Sequence, residues 1–478
     1  MSKGIKFIYI GSVLMSLLLS ACTAPSIVQK TENKKVPGSY DNNSPDSTNT
    51  AKVKWQKYFT DPFLNSLIDS ALKNNQELNI TLQEIEIARN EVRARKGEYL
   101  PSVGLGTGAS LDKSGRYTSR GSSEANTDIR PGIATPDPLP NYMLGAYANW
   151  EVDIWSKLRN AKKAAFNRYM SSTSGKNFLV TNLIAEIANS YYELLALDNQ
   201  LDIIKQNIDI QSNALEIVRL QKQAGRVTEL AVRRFEAQVL NTRSLQFGIQ
   251  QKITETENRI NFLIGRSPQT IERDAATFSN LVPNTIYAGI PAQLLDNRPD
   301  IKQAELALTA AKLDVKSAKA RFYPSLGITA GIGFQAFDAS YLIKAPESLL
   351  YSLAGDLTAP LINRNGIKAA YYSANVKQIQ AVYNYEQTIL KAYVEVVNQL
   401  SNINNLNKTY DLKLQEVDAL TQSVVISNNL FRSARADYME VLLTQRDALE
   451  AKFELIDTKK QQMNAMVNIY RALGGGWN

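Results

Sequence analysis

The sequence predicts an α+β membrane protein built from two copies of one unit: helix, strand pair, then a hairpin of very long helices. Three observations lead there. A charged helix gives way to a glycine-studded strand at a Pro-Ser step twice, in "RARKGEYLPSVGLGTG" (93–108) and in "SAKARFYPSLGITAG" (317–331). The run from Leu158 to Ala224 contains no proline and reads as one helix of sixty-odd residues, a rod of about 100 Å at 1.5 Å per residue. A seven-residue apolar recurrence follows it in both halves, the mark of helices packed in coiled-coil fashion.

The chain begins with Lys3 and Lys6, the apolar run Phe7 to Leu19, and the box Leu19-Ser20-Ala21-Cys22. That is the charged, apolar and small-residue order of a secretory signal, with an apolar run too short to span a bilayer. Cys22 is the only cysteine of the 478 residues, and its place in the box resembles that of a bacterial lipoprotein. A plain signal peptide with a stray cysteine is the alternative. Residues 1–21 are read as the signal and Cys22 as the site of a covalent lipid. Residues 22–54, rich in Pro, Ser, Asn and Lys, are read as an extended tether.

Composition removes several functions. There is no histidine, so His-dependent triads and most zinc, iron and copper sites are excluded, and a lone cysteine forms no internal disulfide or metal cluster. The net charge of +8 is mild for this length, and no basic run suits nucleic acid. No carboxylate spacing singles out a catalytic pair. The chain reads as a non-enzyme without a cofactor or metal.

The repeat is visible by alignment. With Ala88 over Ala311, residues Val92, Lys96, Pro101, Ser102 and Gly104 fall on Val315, Lys319, Pro324, Ser325 and Gly327. Further on, 224–238 lies over 434–448 and 261–265 over 470–474. Proline lacks an N–H and disfavours helical geometry in its predecessor, so the first helix of each copy must end before Leu100 and Tyr323. Glycines 104, 106, 108 and 327, 331, 333 follow at even spacing, opposite Val103, Leu105, Leu326, Ile328, Ile332 and Phe334. Return strands are expected over 142–155 and 349–362, with Tyr and Trp near their ends as in membrane barrels; a buried hairpin is the alternative. On the partner helices, Phe235, Ile249 and Leu263 form one seam and Val239, Ile253 and Ile260 another, interrupted by Thr242, Gln246 and Thr256. Leu442, Leu449, Ile456, Met463 and Tyr470 repeat it. The expected division is 55–265 for the first copy, 266–296 for a connector, 297–474 for the second copy and 475–478 for a tail.

Four strands of about ten residues can cross a bilayer but cannot close, and an open sheet edge is not tolerated in lipid. Three chains would pool twelve strands, enough for a barrel wider than the side-chain-filled eight-stranded size. The object so formed is a tube.

The chain resembles the outer-membrane factor (TolC-like) family, and within it the lipoprotein branch serving efflux pumps. The resemblance covers nearly all of the mature chain. It rests on "WQKYFTDPFLNSLIDSALKNNQEL" (55–78), "LLDNRPDIKQAE" (294–305), the two Pro-Ser joins, "YMEVLLTQRDAL" (438–449) and "RALGGGW" (471–477). Within "RPDI", Pro299 suits a first helical position and Asp300 the positive end of the helix dipole, so Arg298, Pro299 and Asp300 are taken as structural. The resemblance implies a homotrimer with a 12-stranded outer-membrane β-barrel, four strands per chain, and a long periplasmic α-helical barrel. It implies a periplasmic adaptor and an inner-membrane transporter, of resistance-nodulation-division type, as partners. It also implies passive export of drugs, small toxic compounds or metal ions. Adaptor docking falls on the helical turns, at Gly225, Arg226, Val227 and Thr228 and at Ala434, Arg435 and Ala436; Ala434 stands where the family usually has glycine. Asp437 and Glu440 are the acids at the periplasmic gate, and Ala231 matches Glu440 in the first copy. Read locally, Asp437-Tyr-Met-Glu440 also fits a capping box, with Asp437 as the cap.

Two rival readings stay open at this level. A lipid-anchored coiled-coil scaffold without a pore explains the lipobox and heptads but not the duplicated strand pairs. A type I protein-secretion channel shares the architecture and differs only in cargo. In the channel reading the loops 112–141 and 338–348 face the cell exterior.

Overall fold

A computed structural model describes residues 23–28, 30–40, 48–283, 285–433 and 435–477. Cys22, the signal 1–21 and Ala434 lie outside the described residues. The chain forms two compact units: one of residues up to 31, 86–170 and 306–383, the other of 32–85, 171–305 and 384–478.

The first copy runs α1 (Pro62–Asn74), α2 (Gln76–Tyr99), β1 (Ser102–Asp112), α3 (Ser119–Asn126), β2 (Asp128–Arg130), β3 (Ile133–Ala134), β4 (Leu139–Val152), α4 (Lys157–Gln223) and α5 (Glu229–Leu263). The second runs α6 (Pro299–Ala320), β5 (Ser325–Ala336), β6 (Leu349–Thr358), α7 (Asn365–Arg432) and α8 (Tyr438–Ala472). Pro101 and Pro324 act as expected: α2 stops at Tyr99, and α6 at Ala320. The return strands are displaced from their expected bounds. β4 starts three residues earlier and ends at Val152, and β6 ends at Thr358, because Pro360 has no N–H for a ladder. The loop after β1 is not plain coil; it folds into α3 and the small hairpin β2–β3.

In the first unit the long strands form one antiparallel sheet in the order β1-β4-β5-β6. Directly paired residues share a face, so the register separates two surfaces. Val103, Ala148, Ala330 and Leu353 make one row; Gly104, Tyr147, Gly331 and Ser352 make the next. The first surface continues through Leu105, Leu144, Ile332, Phe334 and Leu357, and is apolar along its whole length. Val103 is 74% exposed and Leu353 79%. The second is mostly glycine, Ser, Thr and Asn, with Glu151 and Asp356 towards one end and Met143 and Leu350 towards the other, and with the ring of Tyr147 packed towards Gly106 and Gly331. A sheet apolar on its solvent-exposed face is built for lipid. At the strand ends, Trp155 Nε1 donates to Pro324 O at 2.8 Å and its ring lies 4.8 Å from that of Tyr323. No helix among the described residues is long and apolar enough to cross a membrane.

The second unit holds the main core: Phe59, Leu64, Ile68, Ile184, Ile187, Tyr191, Leu194, Leu195, Ile260 and Tyr470 are fully or nearly fully buried. Tyr58 stacks on Tyr470 at 4.1 Å, and their hydroxyls donate to Met466 O and Val53 O. Asp61 caps α1 and also accepts from the Tyr191 hydroxyl at 2.8 Å. The seam positions Phe235, Val239, Ile249, Leu449, Ile456 and Met463 are buried. The interrupting Thr242 and Thr256 are buried too, and Thr242 donates to Gln211 at 2.7 Å. Polar residues sit in the seam because they are hydrogen-bonded there.

Candidate functional site

The described residues between 23 and 40, expected as an extended tether, have neither helix nor strand and lie docked as a strap. In the first unit, Asn375 Nδ2 donates to Val28 O at 3.0 Å and Gln378 Nε2 to Lys30 O at 3.1 Å. The two amides are 7% and 6% exposed. Lys30 also rests over the Tyr383 ring at 4.6 Å. In the second unit, Lys34 pairs with Glu305 at 2.8 Å, and Tyr40 stacks on Tyr393 at 5.8 Å. The Lys34–Glu305 contact pushes the lysine up from its ordinary pKa, while Lys302 and Lys34 hold Glu305 down. Composition alone gave no sign of the docking, because the strap offers backbone carbonyls rather than an apolar pattern. The signal lay instead in Asn375 and Gln378, three apart on one helix face.

At the first helical turn, Gly225 adopts φ +69 and its N–H donates to Lys222 O. Arg226 N–H donates to Gln221 O at 2.9 Å, completing a Schellman closure. Thr228 stands at the N-cap of α5, with no capping bond from its side chain. At the second turn, Arg435 N–H donates to Leu430 O at 2.8 Å, the same six-residue closure. The equivalence Thr228–Asp437 at the two N-caps sets the repeat offset at 209 residues, so the alignment of 224 over 434 slips by one. The turns are exposed at Gly225, Arg226, Thr228 and Arg435, and half-buried at Val227 and Ala436. Just inside them, Ala231, Val232, Phe235, Val218 and Val441 pack together, so the two hairpins meet near their tips.

The capping-box reading of Asp437 and Glu440 does not hold. Asp437 is the N-cap of α8, but its side chain makes no capping bond; Glu440 contributes only its N–H, to Asp437 O at 3.2 Å. Both carboxylates are exposed. Ala231, the counterpart of Glu440, is fully buried, so an acid there would lose its water for no partner.

Arg298, Pro299 and Asp300 have structural surroundings. Pro299 opens α6, and Arg298, 5% exposed, pairs with Asp300 at 2.7 Å and Glu395 at 2.8 Å while donating to Ala472 O. Arg471 shares Glu395 at 3.0 Å. A second, half-buried arginine, Arg273, joins Asp198 and Glu257. Sequence reasoning missed Glu395, Asp198 and Glu257, which lie far along the chain from the arginines they neutralise.

The sequence profile of outer membrane efflux proteins matches residues 67–266 and 290–475. The pyoverdine export outer membrane protein OpmQ of Pseudomonas aeruginosa is 28% identical over 424 residues, covering 89% of this chain and 87% of its own. The cation efflux system protein CusC of Escherichia coli is 25% identical, with 90% and 89% covered. The protein called a probable outer membrane lipoprotein, SilC of Salmonella typhimurium, is 24% identical with 88% of each covered. Among solved structures, the outer-membrane channel OprN superposes with a TM-score of 0.83 at 23% identity, over 95% of this chain and 99% of that one. The open-state MtrE channel of Neisseria gonorrhoeae gives 0.82 at 22%, over 95% and 98%. With the sheet, the helical hairpins and these matches together, the chain belongs to the outer membrane efflux protein family.

Proposed function

We propose that three copies of this outer-membrane efflux protein close a 12-stranded barrel and a helical tube, forming a passive conduit for cargo delivered by a periplasmic adaptor and an inner-membrane transporter. The observation that carries this is the two-faced sheet, whose edge strands β1 and β6 have no further strand partner among the described residues. An apolar face 10 to 14 residues tall with open edges is stable in lipid only when closed, and closure here requires further copies. Large exposed apolar side chains on the helices, among them Phe247, Phe262, Leu390 and Leu412, supply surface for the same assembly.

Several finer assignments belong to this reading. Cys22 carries the lipid, and the strap leads it to the membrane. Loops 112–141 and 338–348 face outwards. The turns at 225–228 and 434–436 receive the adaptor, and Asp437 and Glu440 line the gate. The ranges 55–265, 266–296 and 297–474 act as two repeats and a connector. Relatives are named for pyoverdine, cation and solvent export, which supports small-molecule rather than protein cargo.

Purified protein in planar bilayers tests the reading. Heat-resistant trimers with ion conductance are expected; a monomeric species without conductance would leave the pore-free scaffold. Palmitate incorporation, lost in Cys22→Ser, tests the anchor.

A further inference from the structure

Within the first unit, four helices enclose a cleft of about 430 Å³. Arg95 of α2, Arg168 of α4, Arg321 in the turn just after α6 and Lys377 of α7 line it, against a single carboxylate, Asp314. The floor is made of small residues such as Ala311 and Ala370, which leave the space open. The charges are not balanced. Asp314 pairs with Arg168, and Arg95 is held by Glu91 and Glu98. Among the described residues, neither Arg321 nor Lys377 makes an ion-pair contact with a carboxylate, although Lys377 acts on Asp314 through space. Burial raises the Asp314 carboxyl above its ordinary range, against the opposing pull of Arg168, Lys377 and Arg95.

The side on which the cleft opens follows from its neighbour. Arg321 also borders a second cleft lined by Glu151, Ser325 and Thr358. By register these three lie on the small, polar face of the sheet: Ser325 pairs with Thr358, and Glu151 shares a row with Gly327 and Asp356. A cleft that shares Arg321 with one bordering that face is placed by the channel reading on the pore side. Cations that outnumber the carboxylates lining a cleft on a pore wall concentrate anions.

We infer that this basic cleft is an anion-binding site on the conduit wall and takes an oxyanion group of the exported compound between Arg321 and Lys377. This rests on the channel reading and narrows its cargo to compounds bearing carboxylate, phosphate or similar groups. A free inorganic anion offers the same chemistry, so the test has two arms. In the first, the purified full chain is dialysed to equilibrium against labelled inorganic phosphate at fixed ionic strength. Saturable binding is expected, weakened about tenfold or more in Arg321→Gln/Lys377→Gln. Asp314→Asn, which removes the competing carboxylate, should bind more tightly. Arg120→Gln, whose arginine pairs with Glu124 in the loop after β1, should match the parent. No saturable binding, or binding undiminished in the double variant, overturns the site.

In the second arm, cells carrying the adaptor and transporter export an anionic and a cationic dye. The double variant should lose anionic export selectively. Lost phosphate binding with both dyes exported as before assigns the cleft to free anions and overturns the cargo inference. Bilayer conductance of the parent is scored separately: its absence defeats the channel reading, while the dialysis still decides the site.

Discussion

Gly474 lies against the carbonyl of Asn297, so close that a β-carbon on it would stand 2.5 Å from that oxygen. Gly265 repeats the relationship with Asn74, at 2.4 Å. In each copy the last long helix ends in a Schellman closure, Arg266 to Asn261 and Gly475 to Tyr470, and the glycine within it seats on the residue two before the copy's first long helix, α2 or α6. The two contacts are the same joint, duplicated with the rest of the unit.

Gly474→Ala and Gly265→Ala should therefore each destabilise by more than about 2 kcal/mol, since backbone must shift to admit the methyl group as well as absorb a positive φ. Gly225→Ala is the control: φ is +69, but nothing lies within 4 Å of the added carbon, so about 1 kcal/mol of conformational strain is the whole cost. Denaturant unfolding of the three variants checks the order. Equal losses at all three positions would reduce the joint to a backbone preference.

The strap gives a second expectation. Removing its amide donors with Asn375→Ala/Gln378→Ala leaves the carbonyls of Val28 and Lys30 without their partners and should release residues 23–31. Limited proteolysis in that segment should speed up several-fold while the helices stay protected. Unchanged cleavage would mean that other contacts, among them Lys30 over the Tyr383 ring, hold the segment.

What could be read from the sequence was whatever a single chain position dictates by itself. Pro101 and Pro324 end helices wherever they stand, and the alternation after them fixed which side chains share a face. The long helix of the first copy and both turns fall within a residue or two of expectation. What escaped reading depended on distant partners or on backbone. Glu395 reaches Arg298 across 97 positions, Asn375 bonds to a carbonyl with no side-chain signature, and the small elements within 113–138 lack any periodic pattern. The one-residue slip between copies arose because Ala224 and Ala434 align by identity, whereas the N-caps Thr228 and Asp437 align by geometry.

Lys459 supplies a pH-dependent prediction. It is 6% exposed, faces the Tyr410 ring at 4.9 Å, and burial lowers its pKa from the ordinary 10.5. Over the window between that lowered value and 10.5, the unfolded chain holds more protons, so rising pH stabilises the fold. Below the window the charged amine is a constant cost. Lys459→Met should be more stable at neutral pH and should lack this alkaline gain. Tyr410, raised by its own burial, loses stability above its ordinary 10.0, but it is present in both proteins and cancels in the difference. Parallel stability–pH curves would show that the amine reaches water.

Glu440 and Asp437 bear on the gate. Neither carboxylate engages in the expected capping box, so neither is held for the sake of the helix end. Glu440 retains only its place in the first turn of α8, where a negative charge contributes about 0.3–1 kcal/mol. Its substitution should cost little stability, within about 1 kcal/mol. In a trimer, three copies of Glu440 would crowd a negative potential into a narrow aperture and draw cations towards it. Glu440→Gln should then move the bilayer reversal potential towards zero in a salt gradient, and Asp437→Asn should act in the same direction. A reversal potential that stays at the parent value in both variants would place these acids off the conduction path. Lowered heat resistance without any change in selectivity would return Glu440 to a helix-end role.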